Sequence, residues 1–383
     1  MGILSVLFDS RRRKTAIALA KAARERGMTV EQFASSLSRE ELARYVPPAK
    51  NKAKNKPEAE NGPKVVMPDV AQFGLPPDAE VTAADFVPDP ELDAARQAFA
   101  NDDWRPAAHL LPTIGTHWDR RAVLISLLGE VVANDETGLE RWRAERPGDP
   151  DAAAVNARGL LQLAWQVRSG LQAQHVSREQ FQRFFAILES AEPAVREAAA
   201  LAPADPTPWV TMLTVARGRQ YDNNAFRDVW AQLVARDPVN LPAHDSALQY
   251  WCEKWGGSHE LMWAFAEEGA AKHPKLAFLL LVAAHEAEFA GVAGAWQDPR
   301  IGPAVDRLLP WLEGEGRNAP GTPNSRAYAA RALVELGRGR EAVEQFRHLG
   351  VHADAAVWAY SGKGRIVEFR KIRYLACYQA TKA

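Results

Sequence analysis

The chain has 383 residues, 47% of them apolar and 25% charged, with a net charge of −1. That length accommodates one large domain or two to three smaller ones, and the composition is that of a globular protein. Two cysteines, Cys252 and Cys377, exclude a disulfide framework and fit a reducing, cytosolic setting, and the longest apolar run, residues 276–284, is too short to cross a bilayer and reads as a buried helix.

The near-zero net charge hides an asymmetry. Residues 1–64 hold 14 Lys/Arg against 7 Asp/Glu, whereas the remainder holds 33 against 41. The chain therefore reads as a basic arm on an acidic body. Residues 1–8 are apolar, but Arg11, Arg12, Arg13 and Lys14 follow them, the reverse of the order in a secretory signal.

Residues 1–46 read as a small basic helical arm. Thr29 with Gln32 and Ser38 with Glu41 have capping-box spacing, which predicts helix starts near 30 and 39. Residues 23–34, ARERGMTVEQFA, resemble the opening of a helix-turn-helix DNA-binding domain, without the later helices that complete one. Residues 47–90 read as a linker. Its first part, AKNKAKNKPEAENGPK, has no large apolar residue to bury. Its second part, from residue 67, carries isolated apolar residues such as Val70, Phe73, Leu75 and Phe86 among prolines, and reads as an extended segment against the body.

From residue 91 the helical period recurs. Leu124, Leu127, Leu128 and Val131 share one face, as do Leu160, Leu163, Ala164 and Val167. Phe181, Phe184, Phe185 and Leu188 repeat the spacing, and so do Trp209, Met212, Leu213 and Ala216, then Phe226, Val229, Trp230 and Leu233. Ala329, Ala332, Leu333 and Leu336 continue it, and no comparable stretch alternates with period two. Asp149-Pro150, Asp205-Pro206, Asp237-Pro238 and Asp298-Pro299 each set a carboxylate before proline, the order expected of an N-cap. Leu248, Trp251, Cys252 and Trp255 predict one helix, Gly256-Gly257 a break, and Ser258 the cap of the next helix, with Leu261, Met262 and Phe265 facing inward. A last helix is expected over 366–378, with Arg370, Lys371 and Arg373 on its polar, outward side.

Residues 328–349, YAARALVELGRGREAVEQFRHL, resemble a tetratricopeptide repeat, with Gly337 at the turn, Ala342 at the small crossing position and Phe346 one turn on. HVSREQ at 175–180, DPTPWVTMLTVARG at 205–218 and YWCEKWGGSHELM at 250–262 are similar to a family of bacterial helical-repeat proteins with no established activity. The resemblance implies an all-α fold: antiparallel helix pairs over residues 91–383 stacked as a tetratricopeptide-like α-solenoid.

No GxSxG, HExxH or strand-borne GxGxxG is present. Ser361, Gly362, Lys363 and Gly364 lack the Ser/Thr and the first glycine of a phosphate loop. His259, His285 and Glu288 offer a carboxylate–imidazole set for a metal-dependent enzyme, against a plainer reading of His285 as a hydrogen-bonded histidine at a helix junction. The leading expectation is a non-enzymatic, cytoplasmic scaffold with no cofactor, holding a protein or peptide around Trp251, Trp255, Gly256, Gly257, Ser258, His259 and Trp263. The alternative is a nucleic-acid or membrane-surface adaptor working through the basic arm.

Overall fold

The structure, a computed structural model, describes residues 68–84, 86–87, 89–169, 176–359 and 363–382. The basic arm and the first part of the linker lie outside the described residues. Among the described residues the fold is all-helical. Its one β-type contact is an isolated parallel bridge between Thr82 and His352.

Among the described residues fifteen α-helices follow one another. They are α1 (Pro90–Ala100), α2 (Arg105–Ile114), α3 (Trp118–Val132), α4 (Thr137–Glu145) and α5 (Pro150–Arg168). Next come α6 (Arg178–Leu201), α7 (Thr207–Gly218), α8 (Asn223–Val234), α9 (Leu241–Trp251) and α10 (His259–Lys272). The last are α11 (Phe278–Phe289), α12 (Ile301–Glu313), α13 (Thr322–Glu335), α14 (Gly339–Leu349) and α15 (Arg365–Ala380).

Each odd-numbered helix packs against the next odd-numbered one, from α1 through α15, and against the even helix that follows it. The core divides along this row. α5 gives Ala152 to Val155 to one apolar cluster and Ala157, Leu161 and Ala164 to the next. α9 does the same, with Ala243 and Ala247 on one side and Leu248 on the other. A helix that serves two cores must be apolar on two faces, and α11 carries this furthest: Phe278 to Ala287 are all buried.

The row also curls. α3 reaches past α5 to touch α7 and α9. At its start Asp119 accepts a hydrogen bond from the Leu241 backbone N–H at 3.1 Å and pairs with Lys275 Nζ at 2.7 Å. Arg121, one turn inside, forms ion pairs with Asp151 and Asp205, all three side chains being buried. These links draw α3, α5, α7 and α9 around a shared interior.

Several sequence expectations need correction. Asp149 caps α5 as predicted, its carboxylate accepting from the N–H groups of Asp151 and Ala152. Asp237 does not cap α9; Asn240 does, accepting from Ala243 N–H. Asp205 and Asp298 accept from the N–H two residues on, and the helices begin one or more residues later than the Asp-Pro step implies. The expected helix through Trp255 stops at Trp251, because Cys252 turns to extended backbone and a separate 3-10 turn carries residues 253–255.

The last helix is present but does not carry a free charged face. Arg373 is completely buried and pairs with Asp78, whose other carboxylate oxygen accepts from Tyr374 Oη at 3.1 Å. The segment before α1 supplies that partner. Val70, Leu75 and Val81 are buried in the C-terminal core, and Thr82 exchanges backbone hydrogen bonds with Val351 and Ala353.

Candidate functional site

Helices α3, α5, α7 and α9 line an open cavity of about 450 Å³. Its lining repeats along each helix at one-turn spacing: Arg158, Leu161, Gln162 and Trp165 on α5; Thr207, Val210, Thr211, Thr214 and Arg217 on α7; Pro242, Asp245, Ser246 and Gln249 on α9; Ser126 and its neighbours on α3. The size suits a small molecule or a few residues of an extended chain.

Polar and charged side chains alternate with apolar ones on the inward face. Thr214 and Ser246 share a hydrogen bond of 2.8 Å across α7 and α9. Arg158 Nη2 donates to Ser126 Oγ at 2.7 Å, while its Nε is sealed from solvent without an acceptor among the described residues. Trp165 Nε1 and Thr207 Oγ1 are likewise buried without a hydrogen-bond partner among the described residues. Burial lowers the pKa of Arg158, with Glu130 opposing. Burial pushes the Asp245 carboxyl up to about 6; Arg217 opposes that shift, Glu286 adds to it and Lys254 opposes it.

One end of the cavity is walled by an aromatic–guanidinium stack. Trp165 and Trp255 meet edge to face at 5.6 Å. The guanidinium of Arg217 lies 5.3 Å from both ring centroids, and that of Arg168 lies 5.4 and 5.3 Å from the same two rings. Each such contact contributes about 0.5–2 kcal/mol, depending on how far it is desolvated.

The residues expected to hold a partner build the corner beside this wall. Trp251 is buried against Phe226 and Tyr250. Gly256 turns the chain at φ +94°, and a Cβ on Gly257 would fall on the Trp251 carbonyl. Ser258 caps α10 by accepting from Leu261 N–H at 3.2 Å. His259 Nε2 stands 3.4 Å from Glu253, and the Arg300 guanidinium sits 3.9 Å over the Trp263 ring. Of the seven, Trp255 alone touches a cavity-lining side chain through a ring contact, Trp165.

His259, His285 and Glu288 are not brought together. Among the described residues no group of three His, Cys, Asp or Glu side chains is placed to hold a metal ion. His285 is buried, which lowers its pKa to about 4, and its Nδ1 lies 3.5 Å from Tyr328 Oη. Glu288 pairs with Arg331 and accepts from Trp296 Nε1. Glu286 instead faces α9, pairing with Lys254 at 2.6 Å and accepting from Gln249 at 3.0 Å.

Sequence reasoning missed the cavity residues, although a signal was there. Thr207, Thr211 and Thr214 recur at i, i+4, i+7 on a helix whose other positions, Arg217 aside, are apolar, and Arg158, Gln162 and Trp165 repeat that spacing. No helix among the described residues is long and apolar enough to cross a membrane. Set against known proteins, the chain matches no family model, no curated protein and no solved structure.

Proposed function

We propose that the chain is a non-enzymatic binding scaffold, a tetratricopeptide-like stack of helix pairs that holds a segment of a protein or peptide partner against its odd-numbered helices. The observation that carries this reading is the cavity of mixed polar and apolar lining between α3, α5, α7 and α9. Side chains from four successive odd-numbered helices converge there, and their spacing of one turn suits an extended chain. The two buried free thiols, Cys252 and Cys377, are in keeping with a reducing compartment such as the cytoplasm.

The test uses the full chain carrying a photo-crosslinking residue at one of two positions. Gln162 lines the cavity, and Gln232 is exposed on α8 away from it. The proposal expects a partner to be trapped at 162 and not at 232. Equal trapping at both, or trapping at 232 alone, would overturn it.

A further inference from the structure

We propose that α14, α15 and the turn after α14 form a docking groove for an extended acidic peptide of a partner, and that this chain's own segment before α1 occupies it as a resident competitor. The segment, residues 69–82, carries Asp69, Asp78 and Glu80 and no Lys or Arg. The groove meets it with Arg347, Arg370 and Arg373, so the two sides are complementary in charge. None of these residues lines the cavity between α3 and α9, and the inference stands apart from the scaffold reading.

The segment is held as a peptide ligand is held. Three arginines donate to three of its main-chain carbonyls: Arg347 Nε to Phe73 at 2.8 Å, Arg373 Nη1 to Pro76 at 2.9 Å, and Arg370 Nη2 to Asp78. A carbonyl is present whatever the side chain, so these contacts recognise a backbone path. Side-chain identity is read elsewhere. The Asp78 carboxylate pairs with Arg373 and accepts from Tyr374 Oη, while Val70, Leu75 and Val81 enter the C-terminal core. Between them Ala71, Gln72, Ala79 and Glu80 face solvent. At its end the Thr82 N–H donates to the Val351 carbonyl at 2.9 Å and the Thr82 carbonyl accepts from Ala353 N–H at 2.7 Å, in the manner of an added strand.

Two features make this occupant separable from the body. Its shape is set locally: Asp69 caps a 3-10 turn over Val70–Phe73, Gly74 ends that turn in the left-handed region, and a second 3-10 turn covers Asp78–Glu80. A peptide that carries its own turns loses less freedom on docking. The segment and the helix that follows it also serve different cores. Val70, Leu75 and Val81 belong to the C-terminal cluster, whereas Leu92, Ala95 and Phe99 of α1 belong to the N-terminal one, so releasing the segment does not strip α1. A short tether gives such a resident an effective concentration of about millimolar, enough to exclude a weak competitor and to yield to a stronger one. The partner it fits presents the same spacing: apolar residues placed as Val70, Leu75 and Val81 are, with a carboxylate at the position of Asp78.

The test follows a dye-labelled synthetic peptide of residues 68–84 by fluorescence anisotropy as the full chain is added. Two variants of the chain loosen the resident and leave every groove residue in place: Asp78→Asn through its ion pair and Leu75→Ala through its apolar contact. The proposal expects the peptide to bind either variant at least tenfold more tightly than it binds the wild type, with unfolding of the variants still cooperative. It expects Asp78→Asn in the peptide to weaken that binding at least tenfold, and Arg347→Gln added to either variant chain to weaken it severalfold. Variants that bind the peptide no better than the wild type does, or equal binding of the two peptides, would overturn the proposal. So would variants that lose cooperative unfolding and admit no peptide, because the segment would then be a fixed part of the core.

Discussion

Asp78 and Arg373 form an ion pair across 295 residues of sequence, and through it the segment preceding α1 is fastened to the last helix. Arg373 is wholly buried, so its charge has no solvent to fall back on. The Arg373 Nη1 donates to the Pro76 carbonyl at 2.9 Å, and Arg347 Nε donates to the Phe73 carbonyl at 2.8 Å, so three residues of the segment are held by arginines of α14 and α15.

Asp78→Asn leaves that buried guanidinium without a counter-charge. Removing one partner of a buried pair costs about 3–5 kcal/mol, and the part-exposed carboxylate puts the expected loss near the lower end. Denaturant unfolding checks it: a lower midpoint with unchanged slope is expected. An unchanged midpoint would show that the pair does not hold the segment.

Gly256 and Gly257 are neighbours with different reasons for being glycine. Gly256 adopts φ +94° with open space around it, so Gly256→Ala carries only backbone strain of about 1–2 kcal/mol. Gly257→Ala places a methyl group on the Trp251 carbonyl, and backbone cannot give way as a side chain tip can. The expected order is a substantially larger loss for Gly257→Ala, read from thermal melting of the two variants. Equal losses would show that the corner reshapes freely.

Asp245 makes stability depend on pH in a direction opposite to the buried histidines. Its folded pKa of about 6 lies above the ordinary 3.8, so between those values the folded chain binds more protons and stability falls as pH rises. His244 and His285 are both lowered to about 4 from 6.5 by burial, so they withdraw stability as pH falls through that window. Comparing Asp245→Asn with the wild type cancels the histidines. The variant is expected to be more stable at pH 8, on the order of 1–2 kcal/mol, with the advantage gone near pH 4. A variant less stable at pH 8 would show that Arg217 and Lys254 outweigh the burial of the carboxylate.

How much of this was legible in the sequence depends on the range of the interaction. The apolar stripes of Leu124 to Val131 and Trp209 to Ala216 mark α3 and α7 because helix period is local. The ends are less legible: Asp237 sits before proline as a cap should, yet Asn240 takes the role because the chain makes a further turn before α9. The cavity depends on α3 reaching α9, fixed by Asp119 with Leu241 and Lys275, contacts spanning 122 and 156 residues. No local pattern carries such a contact. The tryptophans and glycines around residue 255 drew notice by residue type, whereas the cavity is lined by threonine, serine and glutamine, which look like ordinary helix surface until the neighbouring helices are in place.

The cavity is the centre of the account, and filling it tests the account most directly. Thr214 is part-buried and lines it, hydrogen-bonded to Ser246. In Thr214→Trp an indole occupies space a bound segment needs. Titration of the partner trapped at position 162 against wild type and variant should show at least a tenfold loss of affinity, with the unfolding transition of the variant still cooperative. The same affinity for a folded Thr214→Trp chain would contradict the account and place the partner elsewhere on the molecule.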